Sequence, residues 1–167
     1  MDESLRILII EDDPDTRANL CDILSMDGHQ VVGAASLAES RRIANVDQFG
    51  LVITDRKLPE GMIEDFLTEV KTYGHALEII VVTAFGDMES TITALRLGVS
   101  DYVIKPIIPD DLRSTVTRIA EKKRLESELT EEHLFANELL NTAEAIILVL
   151  DLDGKIVRFN PYFEQLT

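Results

Sequence analysis

The sequence predicts an α/β protein whose main body is a doubly wound sheet of five parallel strands. Three observations lead there. Short apolar runs alternate with amphipathic stretches five times between residues 5 and 120, which is the pattern of a sheet covered by helices on both faces. The apolar runs are continuous rather than alternating, as in strands buried on both sides. Four of them run out into polar groups: Glu11, Asp12 and Asp13; then Asp55; then Thr83; then Lys105. In a parallel sheet those ends share one edge, where α/β proteins place their chemistry.

Residues 5–10 form the first strand and end in the acidic run from Glu11 to Asp15. Asp13 is a good helix cap, Pro14 suits a first helical turn, Leu20, Ile23 and Leu24 have helical spacing, and Gly28 stops the helix. Residues 29–34 read as the second strand. Ser36 and Glu39 make a capping box for a second helix reaching about Asn45. The third strand, residues 51–55, carries Asp55 at its carboxyl end, and the chain then breaks at Leu58 and Pro59. A looser helix is expected over 63–72, ending near Gly74. The fourth strand covers 77–82 and leads into Thr83 and Ala84. Asp87 can cap a helix carrying Ile92, Leu95 and Leu97, closed by Gly98. Residues 101–104 make a short fifth strand ending in Lys105 and Pro106, and Pro109 opens a helix with Leu112, Val116 and Ile119 inward.

That last helix continues without Gly or Pro through residue 141. Leu125, Leu129, Ala136, Leu139 and Ala143 fit one heptad seam, interrupted by Glu132 and preceded by Lys122, so a dimeric coiled coil over 121–143 is expected. The period then changes. Residues 145–150 are apolar, 151–154 make a hairpin turn, 155–159 alternate, and 160–167 start another helix.

Composition narrows the function. Acidic residues outnumber basic ones 31 to 16, a formal charge of -15, which disfavours direct contact with nucleic acid or anionic lipid. The one cysteine, Cys21, excludes an internal disulfide and a cysteine-based zinc site and reads as a small core residue. No signal peptide and no apolar run long enough for a membrane helix is present, so the cytoplasm is the expected compartment. Glu11, Asp12 and Asp55 brought to one edge would repel each other unless a cation sat among them. Few all-oxygen ligands with room for water favour Mg²⁺. With Lys105 and Thr83 added, the group can hold a transferred phosphoryl group, one carboxylate being the nucleophile.

Residues 5 to about 120 resemble the response-regulator receiver domain of two-component signalling, a flavodoxin-like fold. The matching pieces are Ile9 to Asp13, Asp55 with Leu58 and Pro59, Val81 to Ala84, and Gly98 to Pro106. The resemblance implies that Asp55 is the phosphoacceptor and that Asp12 ligates Mg²⁺, with Glu11 helping through water and the Lys57 carbonyl as a further ligand. It implies that Lys105 contacts the phosphoryl group, that Thr83 and Tyr102 form a switch pair, and that the Lys105–Pro106 bond is cis. The phosphodonor would be a histidine kinase or phosphotransfer protein, and the receiver would catalyse only its own phosphorylation and dephosphorylation. After Leu58 and Pro59 this chain has Glu60 before Gly61, a loop one residue longer than the family's usual one. Lys57 and Phe85 occupy positions that tune dephosphorylation.

Residues 144–167 are similar to the opening of a PAS sensor domain. The expected organisation is therefore a receiver over 1–120, a helical coiled-coil linker over 121–143 and the amino-terminal fragment of a PAS-like domain over 144–167, part of a longer hybrid kinase or multidomain regulator. The alternative is a degenerate receiver that takes no phosphoryl group and serves as a dimerisation or interaction module. His133 lacks the residues of a kinase phosphoacceptor box. A haloacid-dehalogenase-type phosphatase would need an aspartate where Lys57 stands, and a nicotinamide-binding enzyme would need a glycine-rich turn where Glu11 to Pro14 stand.

Overall fold

The computed structural model describes residues 4–43, 48–59, 61–63, 66–68, 77–84, 98–142 and 147–160. The strands are β1 (Arg6–Ile10), β2 (Gln30–Ala34), β3 (Leu51–Asp55), β4 (Lys57–Leu58), β5 (Gly61–Met62), β6 (Glu78–Ala84), β7 (Asp101–Lys105), β8 (Leu148–Leu150) and β9 (Ile156–Phe159). The helices are α1 (Pro14–Met26), α2 (Leu37–Ile43) and α3 (Pro109–Thr142). The chain divides into two compact units, Met1–Lys122 and Lys123–Thr167.

In the first unit β2, β1, β3, β6 and β7 lie side by side in that order, all parallel. This is the flavodoxin-like order, with its topological switch between β1 and β3. Both faces of the sheet are buried, which is why the strands read as unbroken apolar runs. Leu8, Ile10, Val52 and Val81 face one way and pack with Phe66, Leu67 and Leu37. Ile7, Ile9, Leu51, Ile53 and Val82 face the other way, onto Leu20 and Leu24 of α1 and Leu112, Val116 and Ile119 of α3. Each such side chain contributes roughly 1.5–3 kcal/mol by leaving water, so three of them fix the first turns of α3 on the sheet.

The caps expected from the sequence are in place. The Asp13 carboxylate accepts from the Thr16 N–H at 2.7 Å, and hydrogen bonding to the Thr16 hydroxyl and then to this N–H holds its pKa below the usual carboxylate value. The Ser36 hydroxyl accepts from the Glu39 N–H at 3.0 Å. Glu39 reaches one residue further back than in the usual capping box, to the N–H of Ala35 at 2.6 Å. The Lys105–Pro106 peptide bond is cis.

Two details differ from the expected elements. β6 runs on through Thr83 and Ala84, because β7 pairs with both, Ala84 lying opposite Lys105. The segment after Asp55 folds into a small antiparallel hairpin of β4 and β5, with Leu58 opposite Gly61 at a φ of 132°. α2 is described through Ile43, and its expected end near Asn45 lies outside the described residues. Of the helix expected over 63–72, only 63 and 66–68 are described, 66–68 being helical. The helix expected from Asp87 to Leu97, Phe85, Ala143 and the helix expected over 161–167 lie outside the described residues.

In the second unit the last part of α3 is helical through Thr142, and Leu125, Leu129 and Leu139 are exposed along it. β8 and β9 pair antiparallel, Leu148 with Phe159 and Val149 with Arg158. The turn is closed by Asp151, whose carboxylate accepts from the N–H groups of Asp153 and Lys155 at 3.0 and 2.8 Å, and by Gly154 at a φ of 80°.

Candidate functional site

The carboxyl ends of β1, β3, β6 and β7 deliver the polar residues to one edge of the sheet. One carboxylate oxygen each from Glu11, Asp12 and Asp55 lies within 4.8 Å of the others. Ile10, the last residue of β1, pairs with Thr54, so Glu11 and Asp55 leave adjacent strands side by side. Burial differs across the three. Glu11 is 1% exposed, Asp55 is half-buried, and Asp12 is open to solvent.

Lys105 joins the cluster from β7. Its ammonium donates to Asp55 Oδ2 at 2.5 Å and to Glu11 Oε2 at 2.9 Å. Lost solvation alone would lower the Lys105 pKa, but the two carboxylate hydrogen bonds outweigh it and hold the ammonium above its ordinary value. Glu11 moves the other way from what an ion pair alone would give. Burial pushes its pKa up, the Lys105 hydrogen bond pulls it down, and the neighbouring Asp55 charge helps leave it raised. A carboxylate with almost no water contact and a second acid beside it is not fully compensated by one shared ammonium.

The remaining residues expected at the site are placed around this cluster. Lys57 stands two residues past Asp55, and its N–H donates to Asp55 Oδ1 at 3.0 Å. Thr83 is buried on β6, one residue beyond Val82, the register partner of Asp55. Tyr102 on β7 is 39% exposed. It pairs with Val81 while Ile104 pairs with Thr83, so Tyr102 and Thr83 are diagonal neighbours on one face of the sheet. The hydrogen bonds thus tie Glu11, Asp55 and Lys105 into one network, with Thr83 and Tyr102 set apart from it on the neighbouring strands.

Sequence reasoning missed Arg17. Its guanidinium donates to the backbone carbonyls of Glu11, at 2.5 Å, and Asp12, at 3.2 Å, and so fixes the acidic loop from the first turns of α1. Gly33 makes room for it. A Cβ there would lie 3.2 Å from Arg17 Cγ and 3.1 Å from Cys21 Sγ, tighter than ordinary contact. The available signal was a lone arginine one turn after the Asp13 cap, opposite a glycine that follows Val31 and Val32 in β2.

All-oxygen donors of net negative charge suit a hard divalent cation. Two exposed or half-exposed carboxylates leave space for water, which fits Mg²⁺ better than an ion that needs a full protein cage.

The sequence profile of the response regulator receiver domain matches residues 7–117. The transcriptional regulatory protein DpiA of Escherichia coli (strain K12) is 33% identical over 127 residues, covering 75% of this chain and 56% of DpiA. The response regulator protein PilR of Pseudomonas aeruginosa is 28% identical over 153 residues, covering 92% of this chain and 34% of PilR. The chain spans about half the length of the curated relatives it matches, 56% for DpiA and 46% for the probable transcriptional regulator ycf27 of Cyanophora paradoxa. Among solved structures, a response regulator receiver domain protein from Clostridium thermocellum superposes with a TM-score of 0.67 at 32% identity, over 72% of this chain and 97% of that one. NtrX from Brucella abortus in complex with ADP gives 0.72 at 26% identity, over 84% of this chain and 32% of NtrX. A five-stranded parallel sheet with three acids and a lysine at its carboxyl edge, matched by that profile along most of its length, makes this chain a member of the response regulator receiver domain family.

Proposed function

We propose that the chain takes a phosphoryl group from a phosphohistidine donor, a histidine kinase or phosphotransfer protein, onto Asp55. The observation that carries this reading is the Asp55 carboxylate at the shared strand edge, within 4.8 Å of two further acids and hydrogen-bonded to Lys105. An Asp55 oxygen attacks phosphorus. The new P–O bond forms as the donor's P–N bond breaks, and the electron pair leaves with the imidazole. Glu11, Asp12, Asp55 and the Lys57 carbonyl would hold Mg²⁺, which supplies positive charge against the phosphoryl oxygens. Lys105 contacts Asp55 and would turn its ammonium to a phosphoryl oxygen attached there. The N–H of Lys57 holds the other Asp55 oxygen and so orients the nucleophile. Thr83 would donate its hydroxyl to the phosphoryl group. Its movement would free space for Tyr102, its diagonal neighbour, to turn inward.

The signal would leave through α3, whose helix is unbroken from Pro109 to Thr142. Its exposed Leu125, Leu129, Ala136 and Leu139 support a homodimeric coiled coil over 121–143, and the hairpin beyond supports reading 144–167 as the start of a PAS-like output region. Phosphorylation would shift the population between two pairings of this helix rather than create a new fold. Among the described residues no helix is long and apolar enough to cross a membrane.

Mass spectrometry after incubation with acetyl phosphate tests the reading. One acid-labile phosphoryl group is expected, dependent on Mg²⁺ and absent in Asp55→Asn. A label that persists in Asp55→Asn would sink the assignment. A chain that stays unlabelled with Mg²⁺ present would favour the degenerate interaction module.

A further inference from the structure

We propose that Asn160 is the joint that makes the end of α3 and the β8–β9 hairpin open as one body. Asn160 is 4% exposed, although it carries a polar amide and lies just past the last strand. Its carboxamide is used at both ends. The Nδ2 group donates to the Leu140 carbonyl at 3.1 Å, and Oδ1 accepts from the Ile147 N–H at 3.0 Å. The backbone N–H of Asn160 donates to the Ile147 carbonyl at 3.1 Å, which extends the hairpin by one pair. The orientation of the amide is fixed by chemistry, since a carbonyl can only accept and a backbone N–H can only donate.

The Leu140 carbonyl lies in the last described turn of α3. Thr142 turns its hydroxyl back to the Glu138 carbonyl at 2.8 Å, one turn earlier. Asn160 thus holds this turn of the helix from 20 residues away. It does so with the same planar group that pins the first N–H of the hairpin. A rotation or fraying of the last helical turn cannot keep both bonds, so movement at the helix end is passed to the hairpin at Ile147. The apolar side chains of β8 and β9, Leu148, Val149, Leu150, Ile156, Val157 and Phe159, are all exposed, whereas Asn160 is buried. The role of the joint in signalling rests on the output reading above, but the joint itself does not.

Amide hydrogen exchange on the full chain separates the two, with the amides of β1 and β3 as an internal reference for the receiver. In the unmodified protein the last turn of α3 and the Ile147 amide are expected to share one opening equilibrium and one urea dependence. Asn160→Ala should accelerate exchange at both places by about tenfold, the scale of one lost buried hydrogen bond, with β1 and β3 unchanged. Asn160→Asp keeps the oxygen for the Ile147 N–H but replaces the donor to the Leu140 carbonyl by a carboxylate oxygen, two acceptors set against each other. It should therefore accelerate the helix end while Ile147 stays protected, a split that general loosening cannot produce. A helix end unmoved in Asn160→Asp, or an Ile147 amide unmoved in Asn160→Ala, overturns the proposal. Exchange that follows this pattern, yet shows no change at Ile147 on treatment with acetyl phosphate and Mg²⁺, would leave the joint standing and remove the output reading.

Discussion

Glu11 is where burial and binding pull apart. It is almost fully enclosed, its pKa is raised chiefly by lost solvation, and its charge faces Asp55 as well as Lys105. A carboxyl whose folded-state pKa lies above its unfolded value contributes its full stability below that unfolded value, here 4.5, and loses it as pH rises through the raised one. At neutral pH the metal-free domain carries that loss. Glu11→Gln resembles the protonated form, so its urea midpoint without metal is expected above the parent's at neutral pH, with the gap closing as pH falls toward 4.5. The same change should weaken Mg²⁺ in a titration, because a charged oxygen is gone. A variant less stable than its parent at neutral pH would contradict this account. Lys105 gives the complementary test. Its raised pKa means stability fully present below 10.5 and lost as pH rises through the folded-state value above it. Lys105→Met should show a shallower alkaline decline in urea midpoint than the parent; equal declines would argue that the ion pairs contribute nothing. Every polar residue of this cluster was legible in the sequence, because acids and a lysine at strand ends serve no packing purpose. Arg17 was not. It acts through backbone carbonyls of its own loop, and a sequence does not show which carbonyls a long side chain will reach.

Elements were legible in proportion to how far their own residues decide them. Continuous Val, Ile and Leu runs mark strands buried on both faces, and the caps at Asp13 and Ser36 start their helices where expected. The Ser36 cap has a measurable value: Ser36→Ala should cost about 1 kcal/mol of unfolding free energy. Ser36→Asp should recover most of it, read from urea unfolding by circular dichroism. An unchanged midpoint in the alanine variant would mean that the Glu39 bond to Ala35 alone holds the helix start. What pairing decides was not legible. β6 is two residues longer than its apolar run because β7 offers partners for Thr83 and Ala84. The β4–β5 hairpin forms from four paired residues, far too few for an alternating pattern to register. The usual cue is obscured as well, since Pro59 directly after Leu58 reads as a break in the chain. α3 shows both sides of this. Its first turns were read from Leu112, Val116 and Ile119, all now in the core. The same periodicity continues through Leu125 and Leu129 with nothing in one chain to bury it.

Across the whole molecule burial is uneven. Among the described residues the two apolar clusters belong to the first unit, and in the second only Asn160 is buried. A helix segment with a two-stranded hairpin is marginal in water without further burial. Leu125, Leu129 and Leu139 are each more than half exposed, yet they fall on one seam. If two chains pair along it, these side chains leave water together and the helix gains stability that depends on protein concentration by mass action. Among the described residues the sheet of the first unit is already buried on both faces within one chain, so pairing along this seam should leave it unchanged. Amide exchange followed across a wide range of protein concentration should then show two behaviours in one molecule. Protection over residues 123–142 should rise with concentration, while protection in β1, β3 and β6 should not. Leu129→Glu sets a charge inside the seam at a position exposed in the single chain, so it should abolish the concentration dependence and leave the receiver's urea midpoint unchanged. Light scattering should report the parent as a dimer and the variant as a monomer. Protection over 123–142 that is independent of concentration, with a monomer by scattering in both the metal-free and acetyl-phosphate-treated protein, would exclude the paired helix as the route by which Asp55 is read.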